Sequence, residues 1–225
     1  MPEWWTYGLS DFLMFSPRTY YRLLERYNEA VWPVQLLTLA AGAIILVLLA
    51  NPSAGRSRII AGILALLWAW IAWAFLWSRY AAINWAVTYM VPMFVIEVVL
   101  LVWTAVAERP LALRFKHDFP GTIATVVLIL SIAVYPLLAP LSGRPWGQSE
   151  VFGTASDPTV LGTLALALLA GNPLRWQMAV VPILWLLFSG ATLLAMRSAE
   201  AYLLLPAAVL GLGALVWQPR VIRRR

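Results

Sequence analysis

Glu97 stands near the middle of a long apolar run, residues 85–107. Every other formal charge in the chain falls in a polar stretch, at the edge of an apolar run or near a terminus. A carboxylate at bilayer depth is costly. It is expected to be paired, protonated or turned to a cavity, and it is a functional-site candidate by default. The chemistry it could do is to bind a proton or a small cation. Pro92 lies one turn earlier and frees a backbone carbonyl, so a kink is expected beside the carboxylate.

Helical phase at 100° per residue supplies possible partners. Gln35, Thr38 and Gly42 share one face of the run at 31–50. Ser189 and Thr192 share a face of the run at 177–196, one turn after Trp185. Polar stripes of this kind face the bundle interior, because lipid offers no hydrogen-bond partner. Two readings stay open for Glu97, Gln35, Thr38, Ser189 and Thr192. One is a polar path through the membrane with Glu97 at its centre. The other is interhelical glue that moves nothing.

Trp70, Trp73 and Trp77 fall on one face of the run at 59–77, beside a stripe of small residues, Ala61, Ala65, Ala69 and Ala72. The aromatic face could hold an organic cation or meet lipid near the interface. Arg79, just beyond it, is expected to pair with Asp157 or Glu150 at the outer edge.

Several chemistries are excluded or unsupported. There is no cysteine, hence no disulfide, thiolate or metal–sulfur site. The one histidine, His117, lies in a polar loop, so no metal site is expected. No phosphate-binding glycine loop, nucleophile triad or pair of intramembrane carboxylates is evident, and no cofactor or enzymatic reaction is expected. The only lysine, Lys116, is also in a loop, which argues against a retinal protein. The net charge of +6 is spread over the ends of apolar runs. It reads as contact with anionic lipid and not as nucleic-acid binding.

The elements that must position these residues are helices. Of 225 residues, 62% are hydrophobic and only 12% are charged; a soluble domain would carry about a quarter charged residues. The apolar runs do not alternate with polar residues, which excludes a β-barrel. The expected fold is an all-α, polytopic bundle with spans at 31–50, 59–77, 85–107, 120–141, 159–171, 177–196 and 201–217. The fifth is short, so the count is seven, or six if 159–171 does not cross. With seven, ten basic residues fall on one side and six on the other. The basic-side rule then puts the N-terminus outside and the C-terminus in the cytoplasm.

Three parts follow: an arm at 1–30, the bundle at 31–217 and a basic tail at 218–225. In the arm, Ser16-Pro17 starts a helix. Tyr20, Leu23, Leu24, Tyr27 and Val31 line its apolar side, with Arg18, Arg22, Arg26 and Glu29 opposite. This predicts an interfacial amphipathic helix on the outer leaflet, with a lid over an outer cavity as the alternative. Trp4, Trp5 and Tyr7 suit the headgroup belt. Residues 142–157 are expected to form a compact outer turn.

Pro2-Glu-Trp-Trp-Thr-Tyr, Asp11-Phe-Leu-Met-Phe-Ser-Pro-Arg-Thr-Tyr-Tyr-Arg, Tyr27-Asn-Glu-Ala-Val-Trp-Pro, Trp70-Ile-Ala-Trp-Ala-Phe-Leu, Ile83-Asn-Trp, Tyr135-Pro-Leu-Leu and Ser189-Gly-Ala-Thr together resemble a bacterial family. It is the domain-of-unknown-function 6064 family of integral membrane proteins, sometimes labelled permeases. The resemblance runs over nearly the whole chain. It implies a multi-pass protein of the bacterial inner membrane and brings no catalytic or binding residues with it. It also implies an amide as the usual residue at the position of Glu97, and Pro-Cys-Pro where this chain has Ser156-Asp157-Pro158.

Two functional classes are expected on these grounds. One is a small permease or channel-like carrier with its site near Glu97. The other is an accessory or scaffolding subunit of a larger membrane complex. The expected partners are the lipid bilayer and either other membrane subunits or further copies of the chain. A water-filled cavity reaching Glu97 would favour the carrier. Tight packing there, with a broad apolar or aromatic outer face, would favour the subunit.

Overall fold

The computed structural model describes residues 13–51, 53–106, 113, 115, 118–170 and 174–216. Trp4, Trp5, Tyr7, Lys116, His117 and the tail at 218–225 lie outside the described residues. Among the described residues the regular elements are helices, with no strand beyond the isolated bridges Leu113–Ala170 and Phe152–Ala155.

Helix α1 (Pro17–Val31) begins where the sequence places it. Ser16 caps it, its Oγ accepting from the Thr19 amide at 3.2 Å, and Pro17 occupies the first turn. Its buried stripe is Tyr20, Leu24, Tyr27 and Val31. Helix α2 (Val34–Ala50) follows after a break that turns the chain by 88°. The arm therefore lies across the bundle and does not run along it.

Helix α3 (Arg56–Trp70) widens into a π-helical stretch, Ile71–Trp77. Helix α4 (Val87–Val106) continues unbroken through Pro92. Helix α5 (Phe119–Ile129) is capped by Asp118, whose Oδ1 accepts from the Gly121 amide at 2.9 Å. It too passes into a π-helical stretch, Leu130–Val134, and ends in a short helix α6 (Leu138–Leu141). Then come α7 (Ser156–Leu169), α8 (Leu174–Ala195) and α9 (Ala201–Val216).

Four helical stretches are long and apolar enough to cross a bilayer: Arg56–Ala82, Val87–Val106, Pro120–Leu141 and Arg175–Ala195. The bent pair α1–α2 brings the number to five, while α7 and α9 are shorter apolar helices. The described residues are thus all-α, with several apolar helices compatible with a membrane protein.

Helix α7 is the centre of the bundle. Every residue from Ser149 to Ala170 is buried, covering the turn at Gly153 with the residues before it and the whole helix. A helix of 14 residues spans about 21 Å, less than the ~30 Å hydrocarbon core. Small residues allow the close fit. A Cβ at Gly162 would lie 2.7 Å from the Phe152 ring, and one at Gly211 of α9 would lie 2.7 Å from Leu164.

Two expectations change here. The stretch at 142–157 is not simply an outer turn, because its second half is buried inside the protein. The apolar face of α1 meets protein as well as whatever surrounds it. Tyr20 bonds Glu150, Tyr27 bonds the Thr154 carbonyl, and Asn28 bonds the carbonyls of Gly147 and Ser149. The arm is a strap over the buried segment, since that segment's backbone carbonyls need donors that lipid cannot give.

The strap, the α3–α4 turn, residues 142–148 and the α8–α9 turn gather at one end of the bundle. Tyr21 of α1 shares a 2.7 Å hydrogen bond with Ser198, and Arg144 pairs with Glu200. At the other end Arg56 donates to the Leu113 carbonyl, Leu113 bridges Ala170, and Arg175 donates to the Leu215 carbonyl. Helix α7 therefore runs from one end to the other.

Candidate functional site

Glu97 lies on the buried face of α4 with Phe94, Leu101 and Thr104. It is fully buried, and neither carboxylate oxygen has a hydrogen-bond partner. The packing beside it is aromatic. Phe94, one turn away, lies 4.4 Å from the Trp68 ring and 4.9 Å from the Trp185 ring. Glu97 lines none of the clefts described below.

The proposed partners of Glu97 are engaged elsewhere. Gln35 donates to the Asn28 carbonyl at 2.9 Å, and Thr38 donates to the Gln35 carbonyl. Thr192 donates to the Phe188 carbonyl at 2.9 Å and lines a shallow cleft of about 250 Å³ under Leu13, Met14 and Phe15. Ser189 donates to Asp157 at 2.8 Å. The five residues do not form one path. Helical phase indicated correctly that Gln35, Thr38 and Ser189 face inward, but their depth along the helices puts them near the strapped end.

An unpartnered buried polar group costs stability, and an apolar group of similar shape removes that cost. Glu97→Met is therefore expected to unfold within about 1 kcal/mol of the parent, or later, in reversible unfolding in mixed micelles. A loss beyond twice that would mean that Glu97 holds a partner.

Asp157 is the larger correction. It was expected as a charge at the outer edge where Arg79 would pair with it or with Glu150. It is fully buried in the first turn of α7. Its Oδ1 accepts from Trp185 Nε1 at 2.7 Å. Its Oδ2 accepts from Ser189 at 2.8 Å and, at a longer 3.4 Å, from the Tyr135 hydroxyl. Asp157 thereby ties α5's continuation, α7 and α8 together, and the helix N-terminus favours its charge. Arg79 turns elsewhere: its Nη1 donates to the Ala74 carbonyl at 2.7 Å, and its guanidinium lies 5.0 Å from the Tyr27 ring centre.

Glu150 lies in the same cluster. Tyr20 donates to its Oε1 at 2.9 Å, while Oε2 is buried without a partner. Burial first, then repulsion from Asp157, pushes the Glu150 carboxyl up to about 8, against the opposing pull of the Tyr20 bond and Arg144. The Tyr20 hydroxyl is raised by the same causes, burial and then the two carboxylates. The charged and titratable groups around the pair are thus Tyr20 and Tyr80, Tyr135, and Arg144 with its partner Glu200. No pair of intramembrane carboxylates is evident in the sequence; in the structure Glu150 and Asp157 interact within one buried cluster. No spacing rule links Glu150 and Asp157; the turn at Gly153 (φ 84°) brings them together.

The sign of the pH dependence follows. Between about 4.5 and 8 the folded chain keeps the Glu150 proton and the unfolded chain does not. Stability is then expected to fall as pH rises through that window, by up to about 1.4 kcal/mol per pH unit, and to level off above it. Glu150→Gln should flatten the slope. Micelle unfolding from pH 5 to 9 measures it, and equal slopes for parent and variant would contradict the assignment.

The aromatic face also divides. Trp70 is half-buried and donates to the Tyr27 hydroxyl at 3.0 Å, whereas Trp73 and Trp77 are 64% and 59% exposed. The π-helical stretch has more residues per turn than the α-helix used for phasing, which rotates the later residues away. Trp73 and Trp77 border an open apolar groove of about 350 Å³ with Val91, Val95 and Val98 of α4. No enclosed cation cage forms there. Among the described residues no group of His, Cys, Asp and Glu could hold a metal ion.

Comparison with curated proteins and with solved structures finds no match. A family model described as "Family of unknown function (DUF6064)" matches residues 18–225.

Proposed function

The chain belongs to that family, and we propose that it is a multi-pass membrane protein that takes up and releases a proton at Glu150 and Asp157. One observation carries this reading: two carboxylates share one buried cluster, and Glu150 Oε2 has no partner. Two ionised carboxylates in so dry a place repel, so the pair retains a proton under ordinary conditions. The two carboxylates share the proton as a pair, and Glu150, with one oxygen unpartnered, is the member assigned to hold it. Helix α1 is the lid, since the Tyr20 hydroxyl covers Glu150 from the strap. The reading assigns the chain no enzymatic step and moves the site away from Glu97.

Seven crossings suit this arrangement. Helix α7 starts beneath the strap and ends at Ala170 beside Leu113, at the other end. Arg18, Arg22, Arg26, Arg79, Arg144 and Arg197 would then face the periplasm with the N-terminus. The basic majority and the C-terminus would face the cytoplasm, in a bacterial inner membrane. The lipid bilayer, and either further copies or other membrane subunits, would be its partners.

The packed interior at Glu97 and the exposed band of Trp73, Trp77, Tyr89 and Trp103 favour a second reading, an accessory subunit that moves nothing. Infrared difference spectra between pH 6 and 9, together with proton release from reconstituted vesicles after a pH jump, separate the two. The proton reading expects one carboxyl band titrating near pH 8, absent in Glu150→Gln, and a proton flux lost in Asp157→Asn. No titrating band and no flux would overturn it in favour of the subunit.

A further inference from the structure

Arg18, Arg22 and Arg26 recur every fourth residue on α1, so their side chains stack along one face of the strap. That face, with Arg79 from the α3–α4 turn, lines an open cleft of about 480 Å³. Leu23 and Ile83 give it an apolar floor, and no carboxylate is among its described lining residues. Gathering four guanidinium groups around one hollow gives it a positive potential that favours an anion.

Arg79 is held in place. One of its nitrogens donates to the Ala74 carbonyl and its plane rests near the Tyr27 ring, which leaves its other donors for a ligand. Planar guanidinium groups match phosphate oxygens in pairs.

The surroundings choose the kind of phosphate. The apolar groove between α3 and α4 starts at Trp77 and Val91, beside the same turn that carries Arg79 and Ile83. It runs away from the strapped end to Ala69 and Val98, about 12 Å along the helices. An apolar chain leading down from a phosphate is the shape of a phospholipid. We propose that this cleft binds the phosphate of an anionic phospholipid, with an acyl chain in the groove past Trp73 and Trp77.

The test uses the full chain in detergent, examined by native mass spectrometry. The probes are phosphatidylglycerol, phosphatidylcholine with the same acyl chains, and inorganic phosphate. Phosphatidylglycerol is expected to be retained over phosphatidylcholine and not displaced by millimolar phosphate. Retention should fall about fivefold for each arginine removed in Arg22→Gln and Arg26→Gln. Arg197→Asn, which removes the same charge at a different turn, should change nothing. Arg22 and Arg26 are exposed, so the variants should fold. Lowering the groove's fit with Val95→Trp should weaken the lipid alone. Equal retention of both lipids, displacement by phosphate, or unchanged retention in the arginine variants would overturn the proposal.

Discussion

Asp157→Ala is expected to cost about 3 kcal/mol of unfolding free energy, a large part of the stability of a small bundle. The substitution strands three buried donors at once: Trp185 Nε1, the Ser189 hydroxyl and the Tyr135 hydroxyl. Hydrogen bonds within membranes are often worth well under 1 kcal/mol each, because the unfolded chain in lipid also finds partners. Here the cost is higher, since three donors from two other segments meet at one acceptor. Asp157→Asn should lose only about 1 kcal/mol. Its carbonyl can still accept from Trp185, and its amide can donate to the Ser189 and Tyr135 hydroxyls. Reversible unfolding in mixed micelles measures both. A small loss for alanine would show that Asp157 is not the tie between these helices.

Gly153→Ala should be about as damaging, again near 3 kcal/mol, for two separate reasons. Gly153 has φ 84°, a conformation that L side chains rarely adopt. A Cβ there would also lie 2.6 Å from Thr38 Cβ and 2.9 Å from Leu67 Cδ2. Gly143 has nearly the same backbone, φ 77°, with nothing near its absent Cβ. Gly143→Ala should therefore lose only the conformational part, about 1 kcal/mol. The difference between the two variants isolates the packing cost at the point where the buried segment crosses α2 and α3. Equal losses would mean that the close approach at Gly153 is not enforced. Because this turn also brings Glu150 toward Asp157, the pH slope of stability should shrink in the Gly153 variant.

Much of the frame was legible in the residues. The capping pair Ser16-Pro17 and the stripe at Tyr20, Leu24, Tyr27 and Val31 predicted α1, and the helix carries that stripe on its buried side. Counting spans divided the basic residues into two groups; among the described residues, Arg79 and Arg144 of one group lie at the strapped end, and Arg56 and Arg175 of the other lie at the opposite end. Helical phase also marked Glu97 and Ser189 as inward-facing, as both are buried.

The site was less legible, and the errors share a cause. Asp157 follows a polar loop, so a sequence window scores it as a surface charge; its burial depends on the preceding seven residues entering the bundle. Trp70 was grouped with Trp73 and Trp77 on an ideal wheel, which a π-helical stretch distorts. Gln35 and Ser189 share the right faces with Glu97 but not its depth, and a wheel has no depth axis.

The sequence alone determined class, element type and inward faces, because apolar run length, helical periodicity and caps act within one segment. The tertiary structure alone decided which inward-facing groups meet. Glu150, Asp157, Tyr20, Tyr135, Trp185 and Ser189 come from five separate parts of the chain. Their convergence rests on a buried segment whose backbone must be satisfied by the strap above it, a requirement that no single segment carries.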